Sequence, residues 1–187
     1  MPIFGVTASS NMTTKLTDFY QIATTTLTGN QLQIDFSSIP QDYTHLQLRI
    51  IARNSEATTD SQTTLRFKDD SGANYSSHYL RGTGASASAG YNTSGTKGYL
   101  GWNTGSSSTA SNFGVYIVDI LDYANTNKYK TTRSLNGYDN NGSGNLWFVS
   151  SNWRSTSAIT KISLTADNQA GRNFVQYSSF ALYGIKG

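Results

Sequence analysis

Apolar and polar residues alternate in short runs along most of this 187-residue chain, most clearly over residues 32–53. Leu32, Ile34 and Phe36 alternate with Gln31, Gln33 and Asp35, and Leu46, Leu48 and Ile50 alternate with His45, Gln47 and Arg49. A two-residue period puts one side of each segment in a core and the other in water, so both are predicted as half-buried strands. Between them, Ile39-Pro40 sets an extended residue before one that cannot donate to a ladder, and Gln41-Asp42-Tyr43-Thr44 supplies turn chemistry. The pair reads as a hairpin around a corner, with its apolar side building the core.

The same period marks further strands. One begins at Asp18, and Thr28-Gly29-Asn30 is expected to turn the chain from it into that hairpin. Leu65 and Phe67 mark a strand that stops at Lys68-Asp69-Asp70-Ser71-Gly72, and residues 75–81 follow with Tyr75, Ser77 and Tyr79 on one face and His78 and Leu80 on the other. Residues 113–121 are nearly all apolar, which predicts a central strand buried on both faces. Segments 128–138, 146–153, 159–164 and 174–185 complete the set, with a strong turn signal at Asp139-Asn140-Asn141-Gly142-Ser143-Gly144. Residues 82–112 read as a low-complexity loop of Gly, Ser, Ala and Thr around one apolar island, Tyr99-Leu100-Gly101-Trp102. Residues 1–17 read as an extended N-terminal arm and residues 18–187 as one domain. About ten strands, turns between them and no helix predict an all-β, antiparallel two-sheet β-sandwich, jelly-roll-like in architecture.

Composition agrees and narrows the chemistry. With glycine counted and tyrosine left out, the apolar share is about 39%, under the roughly 45–50% of ordinary globular chains, which predicts a thin core under a polar skin. Glu56 is the one glutamate, and residues that suit strands and turns outnumber helix formers. A net charge of +3 is small, and the basic residues are scattered apart from a short run at 128–133, so no nucleic-acid partner is expected. There is no cysteine for a disulfide or a thiolate metal site. No run approaches 18 apolar residues and the N-terminus lacks a basic start with an apolar core, so neither Sec-dependent export nor a membrane partner is expected.

Candidate active-site residues are few. His45 and His78 are the only histidines, and no G-x-S-x-G elbow accompanies them. The acids at Asp69, Asp70, Asp122 and Asp139 sit where turns want them, which outweighs a reading as paired glycosidase carboxylates. Asp69, Asp70 and Asn74, or Asp139, Asn140, Asn141 and Ser143, offer oxygen ligands for calcium, but neither run has the full EF-hand spacing and a plain turn is the simpler reading. Residues 90–97, GYNTSGTK, miss the phosphate-binding loop because Thr96 separates the glycine from Lys97. The expectation is a protein that is not an enzyme and carries no cofactor, metal or catalytic residue. Ile3, Phe4, Tyr91, Tyr99 and Trp102 are the candidate interface residues, with Trp102 in its Gly/Ser loop the first choice for stacking on a sugar or a partner.

Four segments carry a resemblance: IDFSSIPQDYTHLQLR at 34–49, DDSGANYSSHYL at 69–80, VDILDYANTNKYKT at 118–131 and FALYGIK at 180–186. As a set they resemble a family of small virion proteins of tailed bacteriophages. The resemblance implies a non-enzymatic structural protein in the virion, a capsid decoration or cement protein on the head exterior. Its expected partners are the major capsid protein and itself, as a homotrimer. The alternative it leaves open is a tail-fibre or baseplate module that binds a host-surface glycan.

Overall fold

The structure is a computed structural model that describes residues 18–166 and 171–187. It is an all-β sandwich of two antiparallel sheets, and no helix forms among the described residues. The strands are β1 (Phe19–Thr26), β2 (Gln33–Phe36), β3 (His45–Ala52), β4 (Asp60–Phe67), β5 (Tyr75–Gly82), β6 (Ala87–Gly95), β7 (Gly98–Thr104), β8 (Gly114–Ile120), β9 (Lys130–Asp139), β10 (Gly144–Trp153), β11 (Ile162–Ala166) and β12 (Ser179–Ile185). Eight form one sheet in the order β1-β12-β3-β8-β9-β10-β5-β6, and four form the other in the order β2-β11-β4-β7. The predicted arm at 1–17, with Ile3 and Phe4, lies outside the described residues.

The alternating runs fold as their period dictates. Leu46, Leu48 and Ile50 of β3 are buried, and so are Ile34 and Phe36 of β2, Leu65 and Phe67 of β4, and Phe180 and Leu182 of β12. These side chains fill the space between the sheets together with Tyr116, Val118 and Ile120 of β8 and Trp153 of β10. A smaller cluster of Tyr99, Trp147 and Val149 extends the core toward β5 and β7.

Several expectations are corrected. The two strands of residues 32–53 do not pair with each other: β2 pairs with β11 in the smaller sheet and β3 with β12 and β8 in the larger. Ile39-Pro40 is instead the corner at which the chain changes sheets. It is held from both sides, because Ile39 N donates to Thr160 O, the Gln41 side chain donates to Ile159 O, and the Tyr123 hydroxyl donates to Pro40 O. The strand that leads into this corner, β1, pairs with β12 at the edge of the larger sheet. Segment 174–185 is not one strand. Phe174 bridges Gln31 and Asn54, Tyr177 turns the chain with φ 71°, and only then does β12 begin.

The stretch 82–112 is not an extended loop, and its two strands raise the count to twelve. β6 pairs with β5 and β7 with β4. Its glycines serve close approach more than flexibility. The Tyr79 ring lies where a side chain at position 90 would project, and Gly101, at φ 108°, sits against the Asn136 amide. The final part, residues 105–112, is a loop folded around Arg53, whose guanidinium donates to Ser106 O, Ser108 O, Thr109 O and Asn112 O.

Candidate functional site

β8 is central in the larger sheet, as expected, but it is buried on one face only. Tyr116, Val118 and Ile120 point inward, whereas Val115 and Ile117 are 53% and 45% exposed. The smaller sheet covers only the inner face, and nothing in the described chain lies over the outer one. The outward residues of the neighbouring strands then decide what kind of surface results.

The strand register arranges them in rows. One row runs Arg49 on β3, Ile117 on β8, Leu135 on β9, Phe148 on β10, Leu80 on β5 and Ala89 on β6. The next row runs Ile51, Val115, Gly137, Leu146, Gly82 and Ala87 across the same strands. Apart from Arg49 both rows are apolar. Their large residues range from 45% exposed at Ile117 and Phe148 to 61% at Leu146. Scattered exposed apolar residues are ordinary, but a continuous band across six strands is a candidate interaction surface.

Two hollows shape this band. Gly137 and Gly82 put no side chain into the second row, leaving an open trough of about 810 Å³ edged by Val115, Ile117, Leu135 and Leu146. A second hollow of about 450 Å³ lies toward β6, between Leu80, Ala89, Tyr91 and Phe148. On its other side the band is flanked by a polar row: Gln47, Asp119, Arg133, Ser150, His78 and Tyr91. At the β1 edge, the Arg49 guanidinium lies 4.9 Å from the Phe19 ring and 5.5 Å from the Tyr183 ring.

Of the expected interface residues that are described, Tyr91, Tyr99 and Trp102, the structure brings Tyr91 alone to this face. It is 67% exposed and stacks on His78 with ring centroids 5.7 Å apart. Tyr99 is buried between the sheets, where burial pushes its hydroxyl far above the ordinary tyrosine range. Trp102 is not in a loop. It belongs to β7, half-buried, and one face of its ring is covered by Trp147 at 6.1 Å in a nearly parallel stack. The residues that make the band were missed, although their signal was present. Apolar residues in both phases of 113–121 predict burial on two faces, and the same pattern arises when one apolar face is left exposed.

The other candidates are placed apart. His45 and His78 lie on strands separated by β8, β9 and β10, about 19 Å at ordinary strand spacing. His45 Nδ1 accepts a hydrogen bond from Asp122 N at 3.0 Å. Asp69 holds Lys161 and Ser163, while Asp70 accepts from Gly72 N and the Asn74 and Trp153 side chains. Among the described residues no group of three His, Cys, Asp or Glu side chains is placed to hold a metal ion. The basic run 128–133 is divided. Lys128 pairs with Asp122, Lys130 turns inward to the carbonyls of Asn125, Lys128 and Thr156, and Arg133 joins the outer face.

One further concavity is polar. Beside the β5–β6 hairpin and β4, a cleft of about 220 Å³ is lined by Gln62, Thr64, Ser77, Asn92, Lys97 and neighbouring residues. Its hydroxyls and amides match the groups of a sugar, but it is smaller than the roughly 300–1,000 Å³ of typical small-molecule sites. No family model, no curated protein and no solved structure matches the chain.

Proposed function

We propose that this chain is a structural protein of a tailed-phage virion, an oligomeric decoration or cement component that binds the capsid exterior and stabilises it. The observation that carries the reading is the apolar band on the outer face of the larger sheet. Such a face is costly in water and becomes stabilising when protein covers it, at about 25 cal/mol for each Å² of apolar area removed from water. An oligomeric cementing protein has such faces, against its own copies or against the shell, and holds the shell together by burying surface across its neighbours. The sequence resemblance supports the same reading. Its segments fall on the sheet-changing corner, the β4–β5 turn, the β8–β9 connection and β12.

The test is a comparison of particles with and without the protein. Heads lacking it are expected to open at lower temperature or on dilution into low salt, and added protein is expected to restore them. Equal survival of both, with labelled protein found on the tail, overturns the reading. A second reading, binding of a host-surface glycan, is favoured by the polar cleft at Gln62, Ser77 and Asn92. Glycan-array binding that is lost in Asn92→Ala supports it, and silence on host cell-wall glycans removes it.

A further inference from the structure

We propose that the apolar band is covered by the same face of a second copy of this chain, the two larger sheets packing outer face to outer face about a two-fold axis. The axis lies along the strands between β8 and β9. This rests on the reading above that the chain works as an oligomer, and it names the partner of that surface. The contact is isologous, so its closed form is a dimer in place of the homotrimer that the resemblance implies.

The size of the face fits. The axis divides the eight-stranded sheet in half, so β5 and β6 come over β12 and β1 of the other copy; eight strands at about 4.8 Å spacing are about 34 Å across, and 7–10 residues at about 3.4 Å rise give a length of about 24–34 Å. The product is on the order of 800–1,100 Å², enough for the roughly 800 Å² each partner gives to a standard interface. Its apolar centre and polar flank also match the usual anatomy of such contacts.

The layout is self-complementary about that axis. Turning the sheet over on a line between β8 and β9 keeps each row at its height and lays β8 of one copy over β9 of the other. Ile117 then meets Leu135, and Val115 enters the gap left by Gly137. Across the neighbouring strands, Phe148 comes over Arg49 and Leu146 over Ile51. In the flanking row, Asp119 of one copy faces Arg133 of the other, and the reverse pair forms at the same time. Opposite charges on adjacent strands at the same height are what a two-fold contact needs and what an arbitrary apolar partner does not.

The experiment is light scattering coupled to size exclusion on the full chain at tens of micromolar. A species of twice the 20.3 kDa chain mass is expected. Asp119→Arg and Arg133→Asp are each expected to weaken dimerisation roughly tenfold or more, and the double reversal to restore it. Circular dichroism of each variant separates this from unfolding, and Leu135→Glu supplies a second, independent disruption. A monomeric wild type, or single reversals that change nothing, overturns the proposal. If the wild type is monomeric and Leu135→Glu abolishes particle binding, the face belongs to the capsid: the dimer falls and the virion reading stands. If the dimer forms but particles neither bind nor gain stability, the virion reading falls and the dimer stands.

Discussion

Trp153 Nε1 donates to Asp70 Oδ2 at 2.6 Å, tying the end of β10 in the larger sheet to the turn that leaves β4 in the smaller one. The indole packs against Phe67 and Tyr75, so one residue serves both the core and the turn. Burial pushes the Asp70 carboxyl up, but the hydrogen bonds from Trp153, Asn74 and Gly72 outweigh it and hold the group below its ordinary value. A carboxyl lowered in the fold stabilises above its unfolded pKa of about 3.9, and that stabilisation is lost as pH falls through the folded value. Trp153→Phe keeps most of the packing and removes the donor. It is expected to cost about 1.5–3 kcal/mol at neutral pH, with a smaller penalty in strong acid, measured by urea unfolding at pH 7 and pH 2.

Gly184 in β12 lies directly under the Tyr43 ring, where a Cβ would overlap the ring carbons. The contact packs the C-terminal strand against the sheet-changing corner, with Lys186 Nζ 5.6 Å from the same ring. Gly184→Ala is expected to lower stability by about 1–3 kcal/mol through overpacking. Combined with Tyr43→Ala the two losses should fall well short of their sum, because the second change removes what the first strikes. Thermal unfolding of the four proteins in that cycle is the measurement.

The sequence made the fold class legible because a strand's alternation is local. β3, β4, β5 and β12 can each be read from their own residues. Pairing could not be read in this way. The segments on either side of Ile39-Pro40 alternate as a hairpin would, and only the anchors at Tyr123, Ile159 and Thr160, about 80–120 residues away, send them to different sheets. Segment 82–112 misled because Gly and Ser lower strand propensity, while β6 and β7 are strands through close approach to Tyr79 and Asn136. The apolar band was hidden for a related reason. Each of Val115, Leu135, Leu146 and Phe148 is unremarkable in its own strand, and the band exists only once the register sets them side by side.

Tyr75 carries an alkaline counterpart to Asp70. Burial pushes its hydroxyl up to about 12, although Phe67 N donates to the phenol oxygen at 3.0 Å and partly offsets this. The unfolded chain then releases its proton near pH 10 while the folded chain keeps it. The stabilisation is complete below pH 10 and is lost as pH rises toward 12. Over that interval the loss should be roughly 2–3 kcal/mol. Tyr75→Phe is expected to flatten the stability profile between pH 10 and 12, and to cost about 1 kcal/mol at pH 7 by leaving Phe67 N without its acceptor. Guanidinium unfolding across that pH range reads both effects.

Arg53 makes the strongest local demand of any side chain described. Its guanidinium is buried and donates to four backbone carbonyls of residues 106–112, at 2.6 to 3.0 Å. Burial lowers its pKa, but a guanidinium remains charged at any ordinary pH, so the four carbonyl dipoles have a permanent cation at their centre. Lysine cannot replace it. Its ammonium has three donors at one point and no planar fork, leaving at least one carbonyl unmet and the others poorly aligned. Arg53→Lys is therefore expected to cost about 1.5–3 kcal/mol, and Arg53→Met more, since it removes every donor. The damage should also be local. Thr104 Oγ1 donates to Asn112 O independently of Arg53, and Asn112 N is bonded within the loop, so part of the loop retains a tether. Hydrogen exchange in Arg53→Lys should show lost protection at residues 105–112 with β3, β8 and β12 unchanged. Uniform loss across the larger sheet would show instead that Arg53 supports the whole fold and not this loop.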